Sequence, residues 1–163
     1  TTEIYTLSLH DALPIFSTVP GSPDVFISRT VVGEPASDVG LLRLGGPAEQ
    51  PAEYRRTAGG TGWAQIGRDG VQTPVTAEDR NRLDELVGAL CGARAEQVTI
   101  LQTEDSLPGG IEVTLGSLSG AELERCSLFV DTQQDRSTLV ARSGRVTRAY
   151  TVRPDLAAWI ASR

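Results

Sequence analysis

Few side chains in this chain of 163 residues are suited to catalysis. The sequence contains one histidine, His10, and all 15 of its basic residues are arginine, so it has no lysine. A serine nucleophile needs a neighbouring base to accept its proton, and histidine or lysine often supplies that base. Serine-based chemistry in this chain would therefore depend on His10 alone.

The segment that carries His10 does not read as natural protein sequence. Residues Thr1 to Ile15 can be back-translated into one reading frame of a widely used short-read sequencing adapter, which they resemble throughout. We therefore expect an adapter-derived artefact without a native fold, and natural coding that begins near Phe16. Because the remainder has no base to activate a serine, we predict that the protein is not an enzyme.

Two pairs of carboxylates are the remaining candidates for acid–base chemistry or cation binding. They are Glu104 with Asp105, and Asp131 with Asp135. Paired carboxylates hydrolyse glycosidic bonds, and carboxylate oxygens also bind Ca²⁺. Both pairs lie among turn-forming residues, however, where acidic side chains are normally solvated. We therefore favour a surface role and predict no catalytic residue, no metal site and no cofactor.

The two cysteines, Cys91 and Cys126, suit a structural role better than metal binding. Two cysteines without a histidine make a poor ligand set for zinc. Cys91 ends a predicted helix and Cys126 lies on the apolar side of a predicted strand, so both are expected to face one core. A disulfide between them is one interpretation, and two buried free thiols are the preferred one.

A glycine-rich segment, Gly59-Gly60-Thr61-Gly62, invites comparison with phosphate-binding loops. No Lys-Ser or Lys-Thr pair follows it, and Gln65 stands where a dinucleotide fingerprint needs its third glycine. We interpret residues 58–62 as the loop of a β-hairpin instead.

Aromatic and arginine side chains leave further alternatives open. Trp63 and Trp159 could face a partner, but each lies in an apolar pattern and is better assigned to the core. Arg142, Arg145 and Arg148 flank one predicted hairpin, where they form either a small anion-binding patch or the charged rim of an edge strand.

The charge balance argues against nucleic acid as a partner. The formal net charge is −6, and it becomes −4 when Glu3 and Asp11 of the adapter-like segment are set aside. A mildly acidic chain with interspersed arginines repels phosphate backbones. No apolar run approaches the roughly 20 residues that span a bilayer, so we expect no direct membrane insertion by the visible segment.

One clear amphipathic helix dominates the elements that would position these residues. Its apolar stripe recurs at i, i+3, i+4 and i+7 and consists of Leu83, Leu86, Val87 and Leu90. Thr76 and Asp79 form a capping box at its start, and Gly92 is placed to end it as a left-handed cap. We predict this helix over about 77–91 and a short C-terminal helix, opened by a proline, over about 154–161.

Short runs of alternating or β-branched residues predict strands on both sides of the main helix. These runs are residues 39–44, 52–57, 63–66, 98–102, 111–115, 126–130, 137–142 and 145–152. Ser143-Gly144 is a two-residue hairpin signal between the last two. The order strands, helix, strands, helix is typical of an α+β fold with an antiparallel sheet. We predict a single α+β domain over residues 39–163 after an extended lead-in over residues 16–38.

The order of these motifs resembles the family catalogued as domain of unknown function 4340. The resemblance is carried by Gly62-Trp63-Ala-Gln-Ile66, by the proline turn and acidic helix start from Thr73 to Asp79, and by the leucine-rich stretch from Arg82 to Leu90. It continues through Arg94 to Val98, Ile111 to Leu115, Cys126 to Val130 and Tyr150 to Val152, and spans most of Val39 to Ile160.

The resemblance implies a non-enzymatic, extracytoplasmic interaction module that binds a protein partner. The resemblance further implies that the module belongs to a membrane-associated envelope protein that is accessory to an ABC-type transporter. The exclusive use of arginine is typical of a GC-rich bacterial gene, and we expect a fragment tethered through a missing segment. A cytoplasmic location is the alternative. The alternative function is an inhibitor or regulatory domain that acts on a hydrolase through the glycine-rich loop at residues 58–62.

Overall fold

The computed structural model describes residues 28–45, 51–101, 110–133 and 136–162. Within these ranges the chain forms one antiparallel sheet of nine strands and two α-helices, which confirms an α+β fold in which strand predominates. The strands are β1 (Val39–Gly45), β2 (Ala52–Arg56), β3 (Trp63–Ile66), β4 (Gln72–Pro74), β5 (Gln97–Ile100), β6 (Ile111–Ser117), β7 (Glu122–Gln133), β8 (Arg136–Ser143) and β9 (Val146–Val152). The helices are α1 (Ala77–Cys91) and α2 (Pro154–Ala161). The adapter-like residues 1–15 lie outside the described ranges.

Both helices have the predicted bounds. The stripe of α1 is fully buried, because its four members have 0% relative exposure: Leu83, Leu86, Val87 and Leu90. The Thr76 hydroxyl accepts a hydrogen bond from the Asp79 backbone N–H at 3.1 Å, as a capping box requires. The apolar periodicity and the cap therefore predicted this helix correctly.

Two details at the ends of α1 differ from the prediction. Gly92 has φ −114° and ψ −37°, so the left-handed cap is wrong; its N–H instead continues the helical pattern to the Gly88 carbonyl. The Asp79 carboxylate was expected to reach back to the start of the helix. It accepts a hydrogen bond from the Trp159 indole Nε1 at 3.1 Å and pairs with Arg82 at 3.5 Å instead.

The sheet order is β4-β3-β2-β1-β6-β7-β8-β9-β5, and neighbouring strands are antiparallel throughout. One side of the sheet, here called the inner face, packs against α1 and α2. On this face register places Leu42 beside Leu115, Val113 beside Cys126, and Leu139 beside Tyr150. The opposite side is called the outer face. It carries polar residues such as Arg43, Glu53, Thr114 and Ser127 together with Phe129 and Val140.

The last hairpin turns one residue later than predicted. Ser143 pairs with Val146, so the two-residue loop is Gly144-Arg145 rather than Ser143-Gly144. Gly144 has φ +58°, which suits the first loop position of a type II′ turn and is accessible to glycine without strain. The glycine therefore takes the first position of the loop, whereas the Ser-Gly pattern had placed it second.

The segment before β1 contributes to the core. Val31 and Val32 are buried, and the backbone N–H of each donates to the Leu90 carbonyl at the end of α1, at 3.0 and 3.1 Å. Residues 36–38 then form one 3-10 turn that leads into β1. Part of the segment expected as an extended lead-in is thus held against the end of α1.

Gly40 lies where a side chain has no room. A Cβ added at Gly40 would stand 2.5 Å from the Leu118 Cα atom, whereas nothing lies within 4 Å of one added at Gly33. We expect Gly40→Ala to lower the free energy of unfolding by about 1–3 kcal/mol, because backbone atoms must move. Urea unfolding of both variants measures this, and Gly33→Ala should change stability by less than about 1 kcal/mol. Equal stabilities for the two variants would contradict the expectation.

Candidate functional site

Neither of the two acidic pairs lies wholly within the described residues. Glu104, Asp105 and Asp135 lie outside those residues, as does His10. Asp131 lies on β7, where it lines a cavity on the outer face of the sheet. In the part of the chain that the structure describes, no group of three or more His, Cys, Asp or Glu side chains could hold a metal ion.

The glycine-rich segment is a hairpin loop, as predicted, and it is held in one conformation by backbone and arginine contacts. It joins β2 to β3, with Arg56 opposite Trp63 in the register. Thr57 N–H donates to the Gly62 carbonyl and Gly60 N–H to the Thr57 carbonyl, both at 2.9 Å. Arg56 Nη1 donates to the Gly60 carbonyl at 3.3 Å. The Arg56 side chain therefore stabilises the loop by a direct hydrogen bond.

Both tryptophans are buried, and each indole donates to an aspartate of α1. Trp63 Nε1 donates to Asp84 Oδ1 at 2.8 Å, and Trp159 Nε1 donates to Asp79 Oδ1 at 3.1 Å. Their relative exposures are 2% and 7%, which confirms the core assignment over the partner-facing one. A buried indole N–H needs such an acceptor, so the two acidic residues fix α1 to β3 and to α2.

The three arginines at the last hairpin do not share one surface. Arg148 is buried, and its Nε donates to the Ser28 carbonyl at 2.8 Å, so the anion-patch interpretation is wrong for this residue. Arg142 pairs with Thr147 and Arg148 with Ala141, which places the two side chains on opposite faces of the sheet. Alternation along β8 and β9 thus separates residues that are close in sequence.

Cys91 and Cys126 are free thiols buried in the common core. Burial, with the nearby Glu34 carboxylate, raises the pKa of Cys91 to about 11. Burial, with Glu124 and Glu112, raises the pKa of Cys126 to about 12. A thiol with a raised pKa is a poor nucleophile and metal ligand at neutral pH, because the thiolate is the reactive form.

We expect neither cysteine to react with a water-soluble aromatic disulfide reagent at pH 8 in the folded protein, because burial keeps both thiols protonated. In denaturant, without reductant, both should react. Absorbance of the released chromophore counts the thiols, and Cys91→Ala should leave one. No reaction in denaturant would instead reveal a disulfide between Cys91 and Cys126.

A polar cavity of about 380 Å³ lies on the outer face, toward the β5 edge of the sheet. Its lining residues come from the β5, β7, β8 and β9 region: Glu96, Gln97, Asp131, Arg136, Thr138, Ala149 and Tyr150. The Arg136 guanidinium reaches from β8 across the Thr151 hydroxyl to the Glu96 carboxylate, with which it forms an ion pair. The Thr151 hydrogen bond and the Arg136 charge lower the pKa of Glu96, so this exposed carboxylate is ionised at neutral pH.

Strand β5 forms one edge of the sheet, and within the described residues it pairs only with β9. Leu101 N–H donates to the Arg145 carbonyl at 2.8 Å, and the Thr99 carbonyl accepts from the Thr147 hydroxyl at 3.3 Å. Backbone groups alternate in direction along an antiparallel strand. The N–H and C=O groups of Val98 and Ile100 therefore point away from β9, and no described strand pairs with them.

The two sheet edges differ in how they are protected. Strand β4 is three residues long and ends in Pro74, which has no backbone N–H. Strand β5 has no proline and no charged residue among Gln97, Val98, Thr99 and Ile100. Proline and charge are the usual means of preventing a further strand from adding to an edge. The β5 edge, with the adjoining outer cavity, is therefore the best candidate for a binding site in the described structure.

Sequence reasoning identified β5 as a strand but not as an edge. The lack of charge in residues 97–100 was a readable signal, because exposed edges are normally charged. Whether an uncharged strand is an edge strand, however, depends on its pairing, and β5 pairs with β9, which lies about 50 residues further along the chain. The cavity could not be foreseen either, since Glu96 and Arg136 are 40 residues apart in sequence.

No family model, no curated protein and no solved structure matches this chain. Among the residues described, no helix has the length and apolar character needed to cross a membrane.

Proposed function

We propose that this chain is a non-enzymatic interaction or scaffold module that binds another protein through the β5 edge. We further propose that it works in a membrane-associated envelope protein, on the extracytoplasmic side, as an accessory to an ABC-type transporter. The observation that supports protein binding is the β5 edge, which has no proline and no charged residue and which, within the described residues, pairs only with β9. The envelope location rests on the motif order described in the sequence analysis.

An open strand edge is suited to protein binding because its backbone groups already have the geometry of a sheet. An extended segment that adds to the edge gains regular hydrogen bonds, and side chains next to the edge then decide which segment is accepted. Val98 packs against the core and Ile100 remains 39% exposed, so apolar surface continues up to the edge. This combination supplies both the backbone and the side-chain part of recognition.

Site-specific photo-crosslinking in the organism of origin tests the proposed function. A photoreactive phenylalanine at Ile100 is expected to give a discrete covalent adduct with a second protein, identified by mass spectrometry. The matched control is the same residue at Val71, which is 58% exposed and lies just before β4 at the opposite edge. Adducts from Val71 alone, or from neither position, would contradict binding at the β5 edge.

The hydrogen bond from Arg56 to the glycine loop favours a second candidate function, which is inhibition or regulation of a hydrolase. Inhibitory loops bind well when they are held rigid before binding, and Arg56 holds the loop at residues 58–62 through the Gly60 carbonyl. A panel of purified hydrolases tests this candidate. Inhibition that Arg56→Ala weakens at least about tenfold would support it, and a panel unaffected by the protein would remove it.

A further inference from the structure

We propose that the β5 edge takes a basic, extended peptide segment of a partner protein as an added strand, with a Lys or Arg side chain paired to Glu96. This inference rests on the proposed function and specifies the chemistry of the partner. It follows from three properties of the edge: the direction of its backbone groups, the apolar surface on its inner side, and the negative charge on its outer side.

The backbone of β5 sets the register of an added strand. Val98 and Ile100 direct their N–H and C=O groups away from β9, as the contacts of Thr99 and Leu101 require. Two residues with outward groups provide up to four backbone hydrogen bonds, which suits a segment of roughly five to seven residues in extended conformation.

The inner side of the edge favours apolar side chains in the added strand. Val98 is half-buried against the core, and Ile100 follows it on the same face at 39% exposure. An added strand would place every second side chain beside these two residues. Apolar, β-branched residues at those positions would extend the core across the edge.

The outer side favours a positive charge. The cavity next to β5 contains two carboxylates, Glu96 and Asp131, against one guanidinium, Arg136. Carboxylates therefore outnumber guanidinium groups in the lining of this cavity, in a chain whose own net charge is −6. The Glu96 side chain is 53% exposed at the edge, and a carboxylate offers about four acceptor sites, so one remains beside those that Arg136 and Thr151 use. A long basic side chain on the outer side of the added strand reaches this carboxylate.

A second copy of this chain fits the edge less well. Pairing two copies of β5 would bring two chains of net charge −6 together and would offer no basic residue from the paired strands themselves. A basic segment of another protein is instead attracted by the same field.

Peptide binding to the full chain tests the proposal. The probe is an acetylated, amidated peptide, Thr-Val-Lys-Val-Thr-Val-Thr, and its control carries Glu in place of Lys. We expect the lysine peptide to slow amide hydrogen exchange at Val98 and Ile100 by at least about tenfold at saturation, while Gln72 and Thr73 on β4 change less than about twofold. Equal binding of the two peptides, or protection at β4 instead of β5, would overturn the proposal.

Variants of the edge separate backbone from charge recognition. Ile100→Pro removes one outward N–H and should abolish binding, with the fold checked by amide spectra. Glu96→Gln should weaken binding of the lysine peptide about two- to fivefold, as expected for one exposed ion pair, and should not weaken binding of the glutamate peptide, because the substitution removes a repulsion there. The control is Glu78→Gln, an exposed carboxylate on α1. No effect of Glu96→Gln would overturn the charge assignment.

The remaining outcomes distinguish this proposal from the proposed function. A concentration-dependent dimer that Ile100→Pro abolishes, without peptide binding, would make a second copy the occupant and overturn the proposal. A crosslinked partner at Ile100 whose contacting segment lacks basic residues would leave the proposed function standing and overturn the partner chemistry. A lysine peptide that binds at β5 when no partner is crosslinked there would contradict only the proposed cellular function.

Discussion

Leu86→Ala is expected to lower the free energy of unfolding by about 2–5 kcal/mol, the largest effect of any single truncation proposed for this protein. Leu86 lies in the middle of α1 with 0% exposure, within the cluster that joins the helix to the inner face of the sheet. Truncation removes apolar contacts and leaves a cavity that the surrounding β-sheet cannot easily fill. Urea unfolding followed by far-UV circular dichroism measures the change.

The control for Leu86 is Asn81→Ala, an exposed position on the same helix. Surface substitutions away from caps and ion pairs usually change stability by less than about 0.5 kcal/mol, and alanine is a good helix former. A loss below about 1 kcal/mol for Leu86→Ala would show that α1 is not packed on the sheet as described.

Arg56→Ala is expected to destabilise the protein by about 2–4 kcal/mol, since this one side chain contacts five parts of the fold. Its Nε donates to the Val39 carbonyl at 2.9 Å, and its other nitrogens reach the Ala36 and Gly60 carbonyls. Its guanidinium pairs with Asp84 at 3.4 Å and lies over the Trp63 ring, 4.6 Å from the centroid. Truncation removes the donor to the carbonyl of the buried residue Val39, together with the contacts to Asp84 and Trp63.

Two further variants define what Arg56 contributes. Arg56→Lys keeps the charge but lacks the planar fork, so it should recover only part of the lost stability. Arg55→Ala removes the neighbouring arginine, whose side chain is 50% exposed and pairs with Glu53 at the surface; the expected loss is at most about 1 kcal/mol. Equal unfolding midpoints for Arg56→Ala and Arg55→Ala would contradict the joining role of Arg56.

The helices were predictable because their signals are local. The stripe from Leu83 to Leu90 and the Thr76 cap lie within four turns of chain, and they determine the helix wherever it packs. The same holds for the loop between β2 and β3, where Gly59 and Gly60 adopt positive φ angles of 97° and 73°. Glycine occurs there because other residues adopt such angles only with strain.

The position of a single residue in a hairpin was less predictable. Ser143-Gly144 and Gly144-Arg145 are both plausible two-residue loops, and pairing of Ser143 with Val146 selects the second. Moving the loop by one residue shifts the pairing of the two strands by two residues, so that Leu139 pairs with Tyr150 rather than with Arg148. Both registers leave the same side chains on the inner face, and the alternation of apolar residues therefore cannot distinguish them.

Sequence alone determined most local elements of this protein: the bounds of both helices, the existence of eight of the nine strands, with β4 missed, and the glycine loop between β2 and β3. It also determined that the chain has one histidine and no lysine, since composition requires no structure. Only the tertiary structure decided that Arg148 is buried and that Glu96 forms an ion pair with Arg136. It also decided that β4 and β5 are the two edge strands of the sheet. The physical reason is that periodicity and capping act over a few residues. Sheet order, in contrast, results from contacts between segments that are tens of residues apart, and it depends on how completely these segments bury one common core.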